Sequence, residues 1–508
     1  MTERMSAVDV AFLHRERRTA PAHVGGLAVF TPPPGGFDYE RLIRLLEERI
    51  SLAPRYRQRV RMVPANLANP IWLDDPAFDI TYHVRRSALP RPGTDEQLLE
   101  FCGRIQSRLL DRSRPLWEMY LVEGLSDGRV AIITKTHEAI VGEEGGIDLA
   151  QVLLDSAPEP RRTVGPSWMP EPEPTSLGLA YDAVREMVRR PLNAGDPVRA
   201  VKRDLGQSVE RVTSVFGGVV SAAGAVVRRP NPSPLHAELG EQRRLAIART
   251  RFADYRAVRD AFGGSINDVV LAVVSGALRG WLLSRAEDLR PATTVRALVP
   301  VSVAEPSEPE RARGTGRRDA MADHPSRQRR APQPSTAPGL VRPLLVDLPV
   351  GEPDPVLRLA QLRYAMASHK ASGRAVGADR IADLSGFAPP TLHALGARAA
   401  AGLARRMFSL VVTNVPGPQL PLYAAGARMT EMFPILPLSP GQALSVALTS
   451  YDGGVFYGIN GDRDAMREVG MFAELIEECL AELVAAIGTG AVVAAGEPPH
   501  TPRRTDGR

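Results

Sequence analysis

The sequence predicts an αβ protein of two domains. The chain has 508 residues, too many for one hydrophobic core. Strand-like and helix-like segments alternate in both halves, the pattern of an αβ fold. A proline- and glutamate-rich stretch over 156–175 separates the halves and reads as a linker. Hydrophobic content is 44% and charged content 24%, ordinary for a soluble globular chain.

The elements follow in order. VDVAFL, residues 8–13, reads as a short helix, and HVGGLAVF as a strand. DYERLIRLLEERI carries apolar residues at helical spacing. PRYRQRVRMVP, 54–64, reads as a basic extended segment, and 96–110 as an amphipathic helix. WEMYLVEGL and VAIITKT read as strands joined by a hairpin turn at Asp127-Gly128. Residues 176–228 show helical patches broken at Pro191 and Pro197. A second αβ region opens near 241 with a strand, QRRLAIARTRF, and a helix, DYRAVRDAF. SINDVVLAVVSGALRGWLLSR is a capped, buried helix, and TVRALVPVSV a strand. LLVDLPV, a helix over 354–370, FSLVVTNVPGP, the pair ALSVALTSYDGGVFYGING and a closing helix complete the chain.

The expected boundaries are 1–155 for the first domain and 156–240 for the linker. The second domain takes 241–303 and 341–492. Residues 304–340 hold few large aliphatics and many Arg, Pro and Ser, so disorder is expected there and in 493–508. The two cysteines, Cys102 and Cys479, suggest no disulfide framework and fit a reducing cytoplasm. The N-terminus carries charges where a signal peptide needs an apolar run. No metal-ligand cluster, Walker loop or nucleotide fingerprint is present, so no cofactor is expected. A net charge of +5 fits an anionic ligand or an anionic membrane surface without compelling either. Nothing points to nucleic acid.

The stretch with most chemistry is ITKTHEAIVGEEGGIDL, 133–149. A strand ends in a polar tip, a glycine-rich acidic loop follows, and a helix begins. That arrangement presents a general base at the end of a rigid element. His137 and Glu138 are the candidate acid/base pair. The plainer reading is a charged strand end at the surface.

Several strings in order carry a family resemblance. They are SAVDVAFLHRERRTAPAHVGGLAVF, PRYRQRV, FDITYHVRRSALP, RPLWEMYLVEGL, Asn267-Asp268 followed by VVLAVVSGALR, VRALVPVSV, LPVGEPDPVLRL and VVTNVPGPQLPLYAAGARMTEMFPILPL. The chain resembles the bacterial wax ester synthase/acyl-CoA:diacylglycerol acyltransferases, in their actinobacterial form, over about residues 5–490. The resemblance implies two chloramphenicol-acetyltransferase-like domains, each a mixed sheet flanked by helices, with a tunnel between them. It implies acyl-CoA as co-substrate and diacylglycerol or a long-chain alcohol as acceptor. A peripheral place at the inner membrane face or on lipid droplets, and homo- or hetero-oligomers, also follow as expectations.

The resemblance also implies a mechanism, carried by His-His-x-x-x-Asp-Gly. The second histidine takes the acceptor hydroxyl's proton, and the aspartate fixes the loop, through an arginine. Here the motif reads His137, Glu138, Gly142 and Glu143, so three of its four defining residues are replaced. Neighbouring strand side chains face opposite ways, so His137 should face away from whatever Glu138 faces. Glu143 or Glu144 could stand in for the aspartate. Full-rate transfer is not expected. A non-catalytic, acyl-CoA-binding paralogue and a lipid-surface scaffold stand as alternatives.

The same resemblance makes Asn267, Asp268, Pro115, Leu116, Trp117 and Asn414 candidate substrate contacts. Each has a plainer reading. Ser265 or Asn267 can cap a helix, with Asp268 favourable in its first turn. Pro115, Leu116 and Trp117 can form a packing corner, and Asn414 can end a strand in a turn. His23 and His83 read as structural histidines.

Overall fold

The computed structural model describes residues 3–141, 149–161, 168–189, 233–303, 340–372 and 407–488. Gly142, Glu143, Glu144, the 304–339 stretch and the tail after 488 lie outside them.

The first half runs β1 (Glu3–Arg4), α1 (Ala7–Arg15), β2 (His23–Thr31), α2 (Tyr39–Arg49), β3 (Gln58–Arg61), β4 (Ile71–Asp74), α3 (Ile80–His83), β5 (Val84–Ala88) and α4 (Asp95–Ser107). It continues with β6 (Trp117–Glu123), β7 (Val130–His137), α5 (Leu149–Leu153) and α6 (Ser176–Arg189). Local chemistry sets the starts. Ser6 caps α1 by accepting from Asp9 N at 3.1 Å, and Thr94 with Gln97 makes a reciprocal capping box on α4. Between β6 and β7, Asp127 and Gly128 both take positive φ, 62° and 70°. That geometry suits the twist of an antiparallel hairpin.

The second half holds β8 (Arg243–Arg251), α7 (Phe252–Phe262), α8 (Ile266–Ser284), β9 (Val295–Val303), β10 (Leu340–Leu348) and α9 (Pro355–Ser372). Then come β11 (Leu410–Val415), β12 (Tyr423–Ala424), β13 (Ala427–Ile435), β14 (Leu444–Tyr451), β15 (Gly454–Asp462) and α10 (Val469–Gly488). Among the described residues α8 alone is long and apolar enough to cross a membrane, and it is mostly buried in the protein.

Two mixed six-stranded sheets result. The first has the order β12-β13-β2-β7-β6-β5, antiparallel except where β5 meets β6. The second has the order β10-β9-β11-β14-β15-β8, with β11 parallel to both its neighbours. Each sheet supports its own core, one around Leu27, Trp117 and Ile132, the other around Val273, Trp281 and Phe472.

The linear boundary needs one correction. β12 and β13 fall within 341–492, yet they complete the first sheet, with Phe433 opposite Leu27. Domain and sequence segment therefore differ. The two cysteines are free and buried, and burial pushes the Cys102 thiol up to about 12.

The lobes also meet where α4 lies along β8. A Cβ at Gly103 would sit 2.9 Å from Arg243 O, so only glycine allows this approach. Ser107 Oγ accepts from Arg243 N at 3.0 Å.

Candidate active site

Strand register builds the site. β2 and β7 pair antiparallel with His23 directly opposite His137. Cross-strand partners share a face, and the two rings meet edge-on with centroids 5.8 Å apart. The pairing runs one residue further, because Glu138 N donates to Ala22 O at 2.9 Å. Two tight turns follow, Ile140 N to His137 O and Val141 N to Glu138 O. The strand thus delivers position 138 to its tip.

His137 is fully buried. Its Nδ1 accepts from Ala139 N at 3.0 Å, which places a neutral ring's proton on Nε2. Nε2 lies 3.5 Å from Glu16 Oε1. The same oxygen lies 2.8 Å from His23 Nε2. The other oxygen of Glu16 takes Arg112 Nη2 at 2.8 Å and Nε at 3.2 Å. Burial alone would raise the Glu16 carboxyl, but the two imidazoles together drive it well below the usual carboxylate range. Burial pulls His23 down to about 4 despite Glu16. Among the described residues, His137 is engaged through Nδ1 by Ala139 N and faces Glu16 through Nε2, so neither nitrogen is free to accept.

Lys135 shares this face of β7. Its Nζ donates to Ile105 O at 3.0 Å and to Arg108 O, the carbonyls that end α4. Burial lowers its ammonium to about 8, with Glu118 and Glu16 opposing the shift.

Glu138 opens the turn that follows β7. Its carboxylate pairs with Arg15, the last residue of α1. The two side chains are 18% and 32% exposed, so the pair sits at the rim of the fold and not in bulk water. Consecutive residues, Arg15 and Glu16, therefore hold the two motif positions from one helix end.

The remaining candidates separate into groups. Pro115, Leu116 and Trp117 adjoin the motif, since His137 N donates to Leu116 O at 3.0 Å. All three are buried. Trp117 stacks on His83 at 4.7 Å and donates Nε1 to Tyr56 O at 2.7 Å. Their place is the packing corner. Asp268 closes a capping box with Ser265, accepting from Ser265 N at 2.7 Å. The cap is thus Ser265, which leaves Asn267 outside it. Asn267 Nδ2 is shielded from solvent and has no hydrogen-bond partner among the described residues. Asn414 is half-buried on β11, opposite Leu448. No described contact joins Asn267, Asp268 or Asn414 to Glu138.

The sequence reading missed Arg15, Glu16 and Arg57. Arg57 is 8% exposed and makes no ion pair among the described residues, with the Asp74 charge near enough to favour its cation. Its guanidinium lies 4.4 Å over the Trp168 ring, and burial lowers its pKa. The adjacent Tyr56 hydroxyl accepts from Leu149 N at 3.1 Å, at the start of α5.

An open groove of about 1230 Å³ lies between α4, β8 and the start of α10. His137 and Glu138 do not line it.

Two mixed αβ lobes, with a degenerate histidine motif at a strand tip, define a chloramphenicol-acetyltransferase-like acyltransferase fold. The family model of the wax ester synthase/diacylglycerol acyltransferase catalytic domain matches residues 5–270, and that of the C-terminal domain matches 341–484. The chain belongs to the wax ester synthase/diacylglycerol acyltransferase family. It is 31% identical over 489 residues to the probable diacylglycerol O-acyltransferase tgs1 of Mycobacterium tuberculosis, covering 95% of this chain and 96% of that one. It is 42% identical over 264 residues to tgs3 of the same species, another probable diacylglycerol O-acyltransferase, covering 51% of this chain and 96% of tgs3. The solved wax ester synthase/diacylglycerol acyltransferase of Marinobacter aquaeolei VT8 is 26% identical with a TM-score of 0.63, covering 96% of this chain and 100% of that one. A starter condensation domain of rhizomide synthetase, 12% identical with a TM-score of 0.50 over 94% of each chain, shares the fold alone.

Proposed function

We propose that this chain binds acyl-CoA and a hydroxyl-bearing lipid, diacylglycerol or a long-chain alcohol, and transfers the acyl group far more slowly than a relative with the intact motif. One observation carries this reading: the base position holds a carboxylate already paired with Arg15. Ester formation needs the hydroxyl's proton removed as its oxygen attacks the thioester carbon. If Glu138 took that proton, it would give up its ion pair. As an anion it also disfavours the oxyanion of the transition state, an effect Arg15 offsets only in part. A missing general base costs roughly 10²–10⁴-fold, and the rate that remains comes from positioning. The shielded Asn267 Nδ2, without a hydrogen-bond partner among the described residues, is a donor suited to a substrate carbonyl.

The test is thioester consumption with palmitoyl-CoA and diacylglycerol. The double variant Glu138→His, Gly142→Asp restores the motif's imidazole and its aspartate. It should outpace wild type by about 100-fold or more. Rapid turnover by wild type, abolished by Glu138→Ala, would make Glu138 the base and overturn the proposal.

A second reading, contact with a lipid surface, rests on α6. Leu179 and Ala183 bury one side of this helix at 4% and 3% exposure. The opposite side bears Leu177, Tyr181 and Val184 at 85%, 66% and 48%. A surface helix with a second, bare apolar stripe suits a membrane interface. Leu177→Asp with Val184→Asp should abolish co-sedimentation with phosphatidylglycerol vesicles; undiminished sedimentation would refute it.

A further inference from the structure

We infer that the basic end of the groove between α4, β8 and α10 binds the phosphates of the CoA nucleotide. The inference rests on the acyl-CoA reading above and gives that ligand a binding surface.

The groove is electrically polarised. α4 and β8 run in opposite directions, with Ser107 beside Arg243 at one end and Asp95 beside Arg249 at the other. At the first end the lining includes Arg108, Arg244, Arg463 and Arg467. All four are exposed. None pairs with a carboxylate among the described residues; Arg244 reaches Arg467 O at 2.7 Å, and Arg463 reaches Gln242 Oε1. Glu241, the acid at this end, faces Arg18 at 3.3 Å. At the far end Asp95 and Glu431 neutralise Arg249, and Glu474 and Glu477 add negative charge.

Uncommitted guanidinium groups around a concave surface are what phosphate esters select, through charge-assisted and bidentate hydrogen bonds. The first turn of α10 adds to the same field, with Gly470 on the groove wall. Leu99, Leu245, Val469 and Ala473 supply an apolar floor. The basic end also abuts the motif's support. Arg243 Nη2 donates to Thr19 O, in the turn that follows Arg15 and Glu16. A nucleotide held here would leave its thioester arm beside the element that positions Glu138.

The experiment is calorimetric titration of the full chain with CoA, dephospho-CoA, palmitoyl-CoA and the palmitoyl thioester of N-acetylcysteamine. Wild type should bind CoA more tightly than dephospho-CoA. Arg463→Ala with Arg467→Ala should weaken CoA about tenfold to a hundredfold and erase the preference for the 3′-phosphate. The nucleotide-free thioester should bind both proteins alike. Arg259→Ala with Arg290→Ala, at two arginines outside the groove beside Asp260 and Asp288, controls for net charge and should leave CoA binding unchanged. Equal CoA affinity in wild type and the double variant would overturn the groove assignment while the acyl-CoA reading stands. Failure of wild type to bind any of the four would defeat both. Loss of phosphatidylglycerol-vesicle binding with CoA affinity intact would overturn the nucleotide in favour of a lipid headgroup.

Discussion

Glu16 Oε1 lies 3.5 Å from His137 Nε2, and the residue before it, Arg15, pairs with Glu138. One helix end therefore holds both residues of the strand tip. Glu16 is the buried half of that grip. Glu16→Gln keeps the shape but removes the anion that Arg112 and two imidazoles share. Arg112 remains half in water and can resolvate, which limits the loss. We expect a stability decrease of about 2–3 kcal/mol, read by urea unfolding. A change within error would mean that the histidines pack well without the charge.

The Arg15–Glu138 pair is worth little to the fold. Both side chains keep contact with solvent, where ion pairs contribute about 0–1 kcal/mol. Arg15→Gln should therefore leave the melting temperature nearly unmoved. It should also change the rate of thioester consumption, because it frees the carboxylate. A large melting shift would show that the pair is structural.

His23 predicts acid sensitivity. Its native pKa of about 4 lies below its ordinary 6.5. Between those values the unfolded chain binds a proton that the native chain refuses. Stability therefore falls as pH drops through this window, by on the order of 3 kcal/mol in all. Glu16, depressed as well, adds loss lower still. Unfolding free energies measured from pH 7 to 4 should show the slope, and His23→Gln should flatten it. An equal slope in both proteins would exclude His23 as its source.

Lys135 acts at the alkaline end. Its native value of about 8 lies below its ordinary 10.5. Across that range the unfolded chain keeps a proton that the native chain has released, so raising pH stabilises the native state. The advantage of wild type over Lys135→Met should widen from pH 8 to 10. A constant or shrinking difference would contradict the assignment.

Much of the site was legible in the sequence. The strand leading to His137 follows from its apolar run, and the Asp127-Gly128 hairpin from turn chemistry. A cap at Ser265 or Asn267, with Asp268 in the first turn, announced a helix start. Arg15 and Glu16 were not legible as partners of the motif. They lie over 120 residues upstream, and only the β2–β7 register brings Ala22 and His23 beside Glu138 and His137. The signal available was an adjacent Arg-Glu pair closing a helix inside a family string. Arg57 hid in a segment that read only as basic and extended, because its packing against Trp168 is a tertiary fact.

β13 was equally invisible, since nothing in ARMTEMFPI says which lobe it will join. Its place has a consequence for biosynthesis. While the ribosome is still adding the residues between β2 and β13, β2 has no neighbour on one flank, and that flank can recruit another strand. The nascent N-terminal lobe cannot close until Ile435 has emerged. A chain terminated early by truncation would be born with an open seam and a tendency to self-associate.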